Sequence, residues 1–275
     1  MADSTLRATN AVEVDATTSG TIRSVAAGVS GGGTVGLAGS NTTNAITDSS
    51  KLVKAEVVNS NLNSGGAVQV QALSTSVIES MGLAVGGSGN AAVTGSNTTN
   101  LLEDEITATW SGGSLYGSAT SLTVQADDAA TVRTLAGNVS GAVTGAFGAA
   151  IAVNQVGSTV QANLSGMTLH AAAAAAVDAD LRGEIKSVAA SGAADAFASV
   201  NGSFTTNTLN ASVKAQAVSV TQVTNGGAFS VSADNDSDIF ALAGTISGSG
   251  GAAVGAAVAV NDIGGDVTAL LTSST

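Results

Sequence analysis

The sequence predicts an all-β protein, a parallel β-helix (β-solenoid) of about five repeats of 53–56 residues. First, three positions recur at fixed spacing, and we call them the frame: a first apolar residue, a second apolar residue eight positions later, and an Asn thirty positions after the first. Second, apolar and polar residues alternate with the period of two that is typical of half-buried strands. Third, proline is absent and aromatic residues make up only 3% of the chain, so the core must be built from small aliphatic side chains. The frame positions are Val14, Ile22 and Asn44; Val70, Ile78 and Asn100; Val124, Val132 and Asn154; Val177, Ile185 and Asn207; and Val231, Ile239 and Asn261.

The repeats fill the chain as one domain, and the successive first frame residues lie 56, 54, 53 and 54 positions apart. We assign the copies to residues 12–67, 68–121, 122–174, 175–228 and 229–275, within an array that we expect to be longer. The first copy carries a three-residue insertion near Thr47 to Ser50. A 54-residue unit divides into three coils of 18 residues, and this predicts a rod of roughly fifteen coils that is about 70 Å long.

Within a copy, short strands are expected to alternate with turns of Gly, Ser, Thr and Asn. In the first copy the alternation at Val12–Ala16 is followed by a predicted turn at Thr17–Gly20, and Ile22 begins a second strand. Further turns are predicted at Gly31–Gly33 and, in the sequence GSNTTN, at Gly39–Asn44. Copies three and five have GAAIAVN and GAAVAVN in place of GSNTTN, and these segments are expected to be buried strands. The Ala-rich run 169–177 is interpreted as a corner of the solenoid, and a β-propeller is the competing fold.

Composition limits the function. The chain has 20 acidic and 8 basic residues and a net charge of −12, which disfavours nucleic acid and anionic membranes as partners. Cysteine is absent, so disulfides and thiolate chemistry are excluded. The first ten residues lack an apolar segment, and we expect any targeting sequence to lie elsewhere. The apolar stretches are too short to span a bilayer, so the chain is not expected to be membrane-embedded.

One pattern could bind a metal. Asp234, Asp236 and Asp238 stand at alternate positions, and such a run can wrap Ca²⁺. However, Ile239 stands where a calcium loop has Gly, and the other copies are not acidic here. A solvated turn is therefore the favoured interpretation, and no cofactor is predicted.

Two further acidic groups are candidate sites. Glu103 to Glu105 is interpreted as a charged edge that discourages strand addition. Asp127 and Asp128 resemble the acidic pairs of polysaccharide enzymes. Arg133, the basic residue that a lyase would need, is close in sequence but is expected on a different part of the coil. This pair carries the alternative of a carbohydrate-active β-helix enzyme or glycan-binding module.

The remaining candidates are single side chains. His170 is the only histidine and is expected to be a surface residue without a catalytic partner. Trp110 and Tyr116 could form an aromatic patch for a glycan, but packing between adjacent coils is the favoured interpretation.

The passages GAAVAVNDIGGDVTA (255–269) and GAAIAVNQVGSTVQA (148–162), with the preceding V-x-A-x₅-I element, resemble the repeats of leukotoxin-type filamentous adhesins and related large bacterial exoproteins. The resemblance implies a β-solenoid that is secreted by a type V route to the bacterial cell surface. It also implies a role as a stalk or adhesive segment whose partner is a glycan or protein receptor on a host or neighbouring cell.

The sequence therefore predicts a structural stalk or adhesive segment without catalysis. A second alternative is a self-assembling fibre subunit, in which exposed terminal coils associate end to end.

Overall fold

A computed structural model of the chain describes residues 1–47, 52–170, 173–223 and 227–275. The described residues form fifteen β-strands in two parallel sheets and no helix, which confirms the all-β parallel solenoid. The strands are β1 (Thr5–Ala8), β2 (Val12–Gly32), β3 (Val35–Ile46), β4 (Leu52–Ser64), β5 (Val68–Ser88), β6 (Ala91–Gly117), β7 (Ser121–Gly141), β8 (Gly145–Ser165), β9 (Thr168–Leu169), β10 (Ala174–Asp195), β11 (Ala198–Val218), β12 (Thr221–Gln222), β13 (Phe229–Asn235), β14 (Asp238–Ser249) and β15 (Ala252–Thr272).

Each coil of the solenoid runs once through both sheets. Sheet B contains β2, β5, β7, β10, β13 and β14, and sheet A contains the other nine strands. The chain passes along a sheet B strand, turns sharply, and returns along a sheet A strand that faces it. Coils 1 to 5 are named in chain order after the sheet B strands that open them, which begin at Val12, Val68, Ser121, Ala174 and Phe229.

The pairing register shows that one repeat forms one coil, so the prediction of three coils per repeat is wrong. Val124 pairs with Val70 on one side and with Val177 on the other, and each step is a whole repeat. The predicted turns at 17–20 and 39–44 lie inside β2 and β3, because their Ser, Thr and Asn residues continue the alternation instead of breaking it. The five coils span about 24 Å along the solenoid axis rather than 70 Å, and a strand of 21 residues spans about 70 Å across it.

The insertion predicted in the first copy is confirmed by a change of register. Ile46 pairs with Leu102, 56 positions away, whereas Leu52 pairs with Glu105, 53 positions away. Three additional residues therefore lie between Ile46 and Leu52. Residues 48–51 themselves lie outside the described residues, as do residues 171–172 of the Ala-rich run.

The interior has two zones, which we call the base half and the tip half. In each coil, the base half consists of the sheet B residues up to the second frame residue (Ile78 in coil 2, for example) and the sheet A residues after the frame Asn (Asn100 in coil 2). The tip half holds the rest of each coil, around the turn between the sheets. The base half contains the apolar core, in which Trp110, Ile78, Leu102, Leu164 and Leu181 are fully buried.

The tip half is too narrow for bulky side chains. A Cβ atom added to Gly28 would lie 2.2 Å from the carbonyl oxygen of Gly39 on the facing strand. The inward positions here are accordingly Gly, Ala, Ser, Thr and Asn, except for Asp195 near the turn, which accepts a hydrogen bond from the Ala146 N–H at 2.9 Å. Ala136, Ala150 and Ala152 belong to a separate small cluster. The larger residues of GAAIAVN and GAAVAVN point outward, contrary to prediction, and Ile151 and Val258 are exposed.

One backbone feature recurs near the end of each passage through sheet A. Residues with positive φ form one column there, inside β4 and β6 and directly after β8, β11 and β15. These residues are Asn59, Gly112, Gly166, Ser219 and Ser273, with φ of 45°, 70°, 60°, 54° and 50°. The sequence uses Gly, Asn and Ser here, of which Gly adopts this conformation without strain.

Candidate functional site

A ladder of asparagine side chains runs through the interior at the boundary between the two halves. The frame residues Asn44, Asn100, Asn154, Asn207 and Asn261 are in register, one in each coil. Each side-chain amide donates to the amide oxygen of the next residue, at Nδ2–Oδ1 distances of 2.8, 2.7, 2.7 and 2.8 Å along the ladder. Because an Asn side chain offers a donor and an acceptor at opposite sides, a stack of identical residues satisfies itself.

Hydroxyl groups of sheet B complete this ladder from the facing strand. Thr134 Oγ1 donates to Asn154 Oδ1 at 2.6 Å and accepts from Asn100 Nδ2 at 2.7 Å. All three side chains are buried. The frame Asn residues therefore tie each coil to its neighbours, and Asn100 and Asn154 also tie sheet A to sheet B.

A column of aspartates lies on the outer surface of sheet B in the base half. Asp180 pairs in register with Asp127 of coil 3 and with Asp234 of coil 5. Arg182 donates to Asp180 at 2.8 Å, and this ion pair raises the pKa of Arg182. Burial raises the pKa of Asp127, and the nearby Asp180 and Asp178 add to that effect while Arg182 opposes it. Carboxylates in one column repel one another, so the arginine offsets part of a repulsion that the fold creates.

The structure does not bring the acidic pair Asp127 and Asp128 together. Asp127 points outward, whereas Asp128 points into the interior and is fully buried. Arg133 lies on the outer surface and pairs with Glu79 at 3.2 Å and with Glu184 at 3.7 Å instead. Two carboxylates on opposite faces of a strand cannot act on one glycosidic bond.

The three aspartates considered for calcium lie on the exposed side of coil 5. Asp234 belongs to β13, Asp238 begins β14, and Asp236 lies between them with its backbone N–H bonded to the Leu181 carbonyl. Across the part of the chain that the structure describes, no group of three or more His, Cys, Asp or Glu side chains is arranged to hold a metal ion.

The acidic run in coil 2 is split between the two sides of β6. Asp104 is buried and accepts a hydrogen bond of 3.2 Å from Ser74 Oγ of the facing sheet. Glu103 and Glu105 point outward and line a shallow groove of about 480 Å³ that reaches Asp266 of coil 5. Asp104 therefore connects the two sheets inside the protein, whereas Glu103 and Glu105 form part of a charged outer surface.

The aromatic residues do not form one patch. Trp110 is fully buried, and its indole Nε1 donates to the Gly112 carbonyl at 3.0 Å. It lies in register with the buried Val57 and Leu164 of the adjacent coils, which agrees for this residue with the predicted packing between coils. Tyr116 is 39% exposed and stacks on His170 with 4.4 Å between the ring centroids. His170 is half-buried, so it is not a free surface residue.

The outer surface of the tip half is apolar on sheet B and partly apolar on sheet A, where polar residues such as Asn97 also point outward. Sequence reasoning missed the apolar part. On sheet B, Val25 is 74% exposed and Val29 and Ile246 are each 81% exposed. On sheet A, Phe147 and Phe204 are also exposed. An ionic ladder of Arg23, Glu79, Arg133, Glu184 and Lys186 separates this surface on sheet B from the base half. The two halves therefore have opposite polarity: apolar inside and polar outside at the base, and polar inside and apolar outside at the tip.

Comparisons with known proteins add no family to this description: no family model, no curated protein and no solved structure matches the chain. Within the described residues there is also no helix long and apolar enough to cross a membrane. The fold itself defines the class, which is a parallel β-solenoid with one large coil per repeat.

Proposed function

We propose that the chain is a structural or adhesive segment of a secreted bacterial surface filament of the leukotoxin-type adhesin kind. The observation that supports this is the register, because every coil repeats the hydrogen-bonding pattern of the coil before it along the strands of both sheets. Such a coil is a template for the next one, and an array of this kind can extend without a new interface at each step.

The dimensions favour a broad segment rather than a thin stalk. Each repeat of about 54 residues adds only about 4.8 Å of axial length, whereas its strands extend about 70 Å across the axis. The segment therefore offers wide, flat faces on which a glycan or protein receptor could bind. Reach from the cell surface would require many further repeats.

Stepwise folding of coils outside the cell would draw the unfolded chain through an outer-membrane pore. The test is export of a parent chain that carries Val70→Asp and Ile78→Asp, two fully buried frame positions of coil 2. The matched control carries Gln71→Asp and Thr75→Asp, at outward positions of the same strand. We expect the interior variant to accumulate inside the cell and the control to be exported; equal export of both would contradict the proposal.

A second function, that of a self-assembling fibre subunit, is favoured by the outermost strands. Among the described strands, β2 pairs only with β5, and β15 pairs only with β11. The free edge of coil 5 presents the same strand arrangement that coil 1 offers to coil 2, so head-to-tail addition would continue both sheets. Electron microscopy of the purified chain at increasing concentration tests this, and particles that stay about 24 Å thick along the solenoid axis would exclude it.

A further inference from the structure

Beyond the ionic ladder, the outer surface of sheet B in the tip half is uniformly apolar. We call it the B-tip face, and it consists of the outward residues of segments 25–31, 81–87, 135–141, 188–194 and 242–248. Each segment supplies four outward positions, and every one of them is Val, Leu, Ile, Met, Ala or Gly. Charged and polar side chains are absent from it, in contrast to the outward positions of the same strands in the base half.

The B-tip face has the shape of alternating ridges and grooves. The in-register residues of each position form a column across the five coils. The first column is bulky throughout, and it consists of Val25, Met81, Leu135, Val188 and Leu242. The second column is mostly Ala or Gly, the third is mostly Val or Ile, and the fourth is Gly in four coils and Ala in coil 4.

In coils 1, 3 and 5 this order of columns is complementary to itself; in coil 2 the second and third positions are both bulky, and in coil 4 both are small. Consider a two-fold axis that is parallel to the solenoid axis and passes between the second and third columns. It reverses the strand direction, so the bulky first column faces the small fourth column of a second copy, and the second column faces the third. In coil 3, Leu135 then faces Gly141 and Gly137 faces Val139. Coils 1 and 5 give the same match of each bulky residue with Ala or Gly, and such interdigitation is what close packing requires.

Charge placement is compatible with the same arrangement. Position 23 faces position 33 of the second copy, so Arg23 lies beside the turn residue Gly33, and Glu79 lies beside Gly89. The ionic ladder therefore stays at the rim of the contact and is not buried against like charge. The face measures about 23 Å by 24 Å, so two copies bury about 1,100 Å², which exceeds the roughly 1,000 Å² expected of a specific interface.

A lipid bilayer is a poorer match for this surface. A fluid hydrocarbon surface requires only that a face be apolar, and it does not account for the alternation of bulky and small columns. A second copy of the chain accounts for both the apolar composition and its order.

We propose that two copies of this chain associate laterally through the B-tip face, with antiparallel strands and parallel solenoid axes. This contact is isologous, and it joins two solenoids side by side rather than end to end. It does not depend on the adhesive role proposed above, because it follows from the shape of the face alone.

The first test is sedimentation equilibrium of the full chain over a concentration series. Val139→Glu places a carboxylate in the third column, at a side chain that is 56% exposed in one copy. Gln125→Glu, its matched control, introduces the same group at an outward position of the same strand, in the base half. We expect the wild-type chain and the control to be dimers and Val139→Glu to raise the dimer dissociation constant at least about tenfold. A monomeric wild-type chain, or equal association of both variants, overturns the proposal.

The second test leaves the face intact. The chain has no cysteine, so Thr131→Cys provides a single site for a spin label, seven positions from the two-fold axis on coil 3. The proposed arrangement predicts a label-to-label distance of about 46 Å in the dimer, at about 3.3 Å per residue. A distance below about 20 Å would mean parallel strands and overturns the antiparallel pairing. Binding to phosphatidylcholine vesicles by a chain that is monomeric in buffer would assign the face to a membrane and also overturns it.

Discussion

The side-chain amide of Asn100 donates a hydrogen bond of 2.7 Å to Oδ1 of Asn154 in the next coil, and both side chains are buried. The two residues are 54 positions apart in the chain and occupy the same place in successive coils. The same bond recurs between Asn154 and Asn207. The frame Asn thus acts as an internal register mark, because a coil that slipped by one residue would leave its amide unpaired.

Removal of one frame Asn side chain should break the hydrogen-bonded ladder toward both neighbouring coils. Asn100→Ala removes the acceptor of the Asn44 amide and leaves Asn154 Oδ1 with only the Thr134 hydroxyl as a donor. We expect it to lower the free energy of unfolding by about 1–3 kcal/mol. Asn97→Ala is the control, since Asn97 lies on the same strand but faces outward. Denaturant unfolding should show at most about 0.5 kcal/mol for the control, the usual range for a surface substitution. Equal losses in the two variants would show that the ladder has no special role.

One additional methyl group in the narrow interior of the tip half should lower the stability of the fold. A Cβ atom at position 28 would meet the facing backbone oxygen at 2.2 Å, which neither strand can avoid without moving. Gly28→Ala should therefore destabilise the chain by about 1–3 kcal/mol. Gly95→Ala is its counterpart on an outward position with nothing within 4 Å, and it should leave the melting temperature unchanged or slightly raised. A stable Gly28→Ala variant would mean that the two sheets separate more easily at the tip than their spacing indicates.

The positive-φ column offers a stabilising substitution. Ser219 adopts φ of 54° at an exposed position, which costs about 1 kcal/mol for a residue with a side chain. Ser219→Gly should therefore raise the melting temperature. Ser212→Gly, at an exposed position inside β11, should lower it, because glycine in a regular strand loses about 0.5–1 kcal/mol. A higher melting temperature for Ser219→Gly together with a lower one for Ser212→Gly would support backbone strain at Ser219. A lower melting temperature for both variants would contradict it.

The frame read from the sequence predicted the register of the fold. Val70, Val124 and Val177 are in register along the solenoid, and the insertion in the first copy lies where the spacing placed it. The spacing of the frame does not determine the number of residues in a coil. Segments such as 17–20 have the composition of a turn, and only pairing with residues a whole repeat away keeps them extended.

The acidic column and the apolar outer surface of the tip half also depend on how the copies stack. Asp127, Asp180 and Asp234 are 53 or 54 positions apart, yet each lies three residues after a first frame residue. Alignment of the copies by column could therefore have found the acidic column. The apolar outer surface of the tip half was harder to predict, because alternation alone does not say which side is inside. That assignment depends on the distance between the two sheets, which is short at Gly28 and wider at Trp110.

Glu79 should make the chain sensitive to acid. Hydrogen bonds from Arg23 at 2.7 Å and Arg133 at 3.2 Å hold the pKa of this carboxyl below its ordinary value of 4.5. Because the folded-state pKa is lowered, the stabilisation is present above pH 4.5 and is lost as the pH falls through the lowered value. Glu79→Gln should therefore be less stable than the wild type at pH 7 and equal to it at about pH 2, a difference that salt reduces.

Asp127 should have the opposite dependence. Burial, with Asp180 and Asp178 nearby, raises the pKa of this carboxyl above its ordinary value of 3.8, so its ionised form disfavours the folded state. The penalty is present above the raised pKa and disappears as the pH falls below 3.8. Asp127→Asn should therefore be more stable than the wild type at pH 7 and equal to it at about pH 2.

The control for this prediction is Asp262→Asn, which removes an exposed carboxylate from sheet A, away from the acidic column. Thermal unfolding of both variants at the two pH values separates a local effect from a general one. If the two variants gain equally at pH 7, the cause is the net charge of −12 and not the position of Asp127. A gain confined to Asp127→Asn would mean that the coil register, by stacking Asp127 on Asp180, sets the cost of that carboxylate.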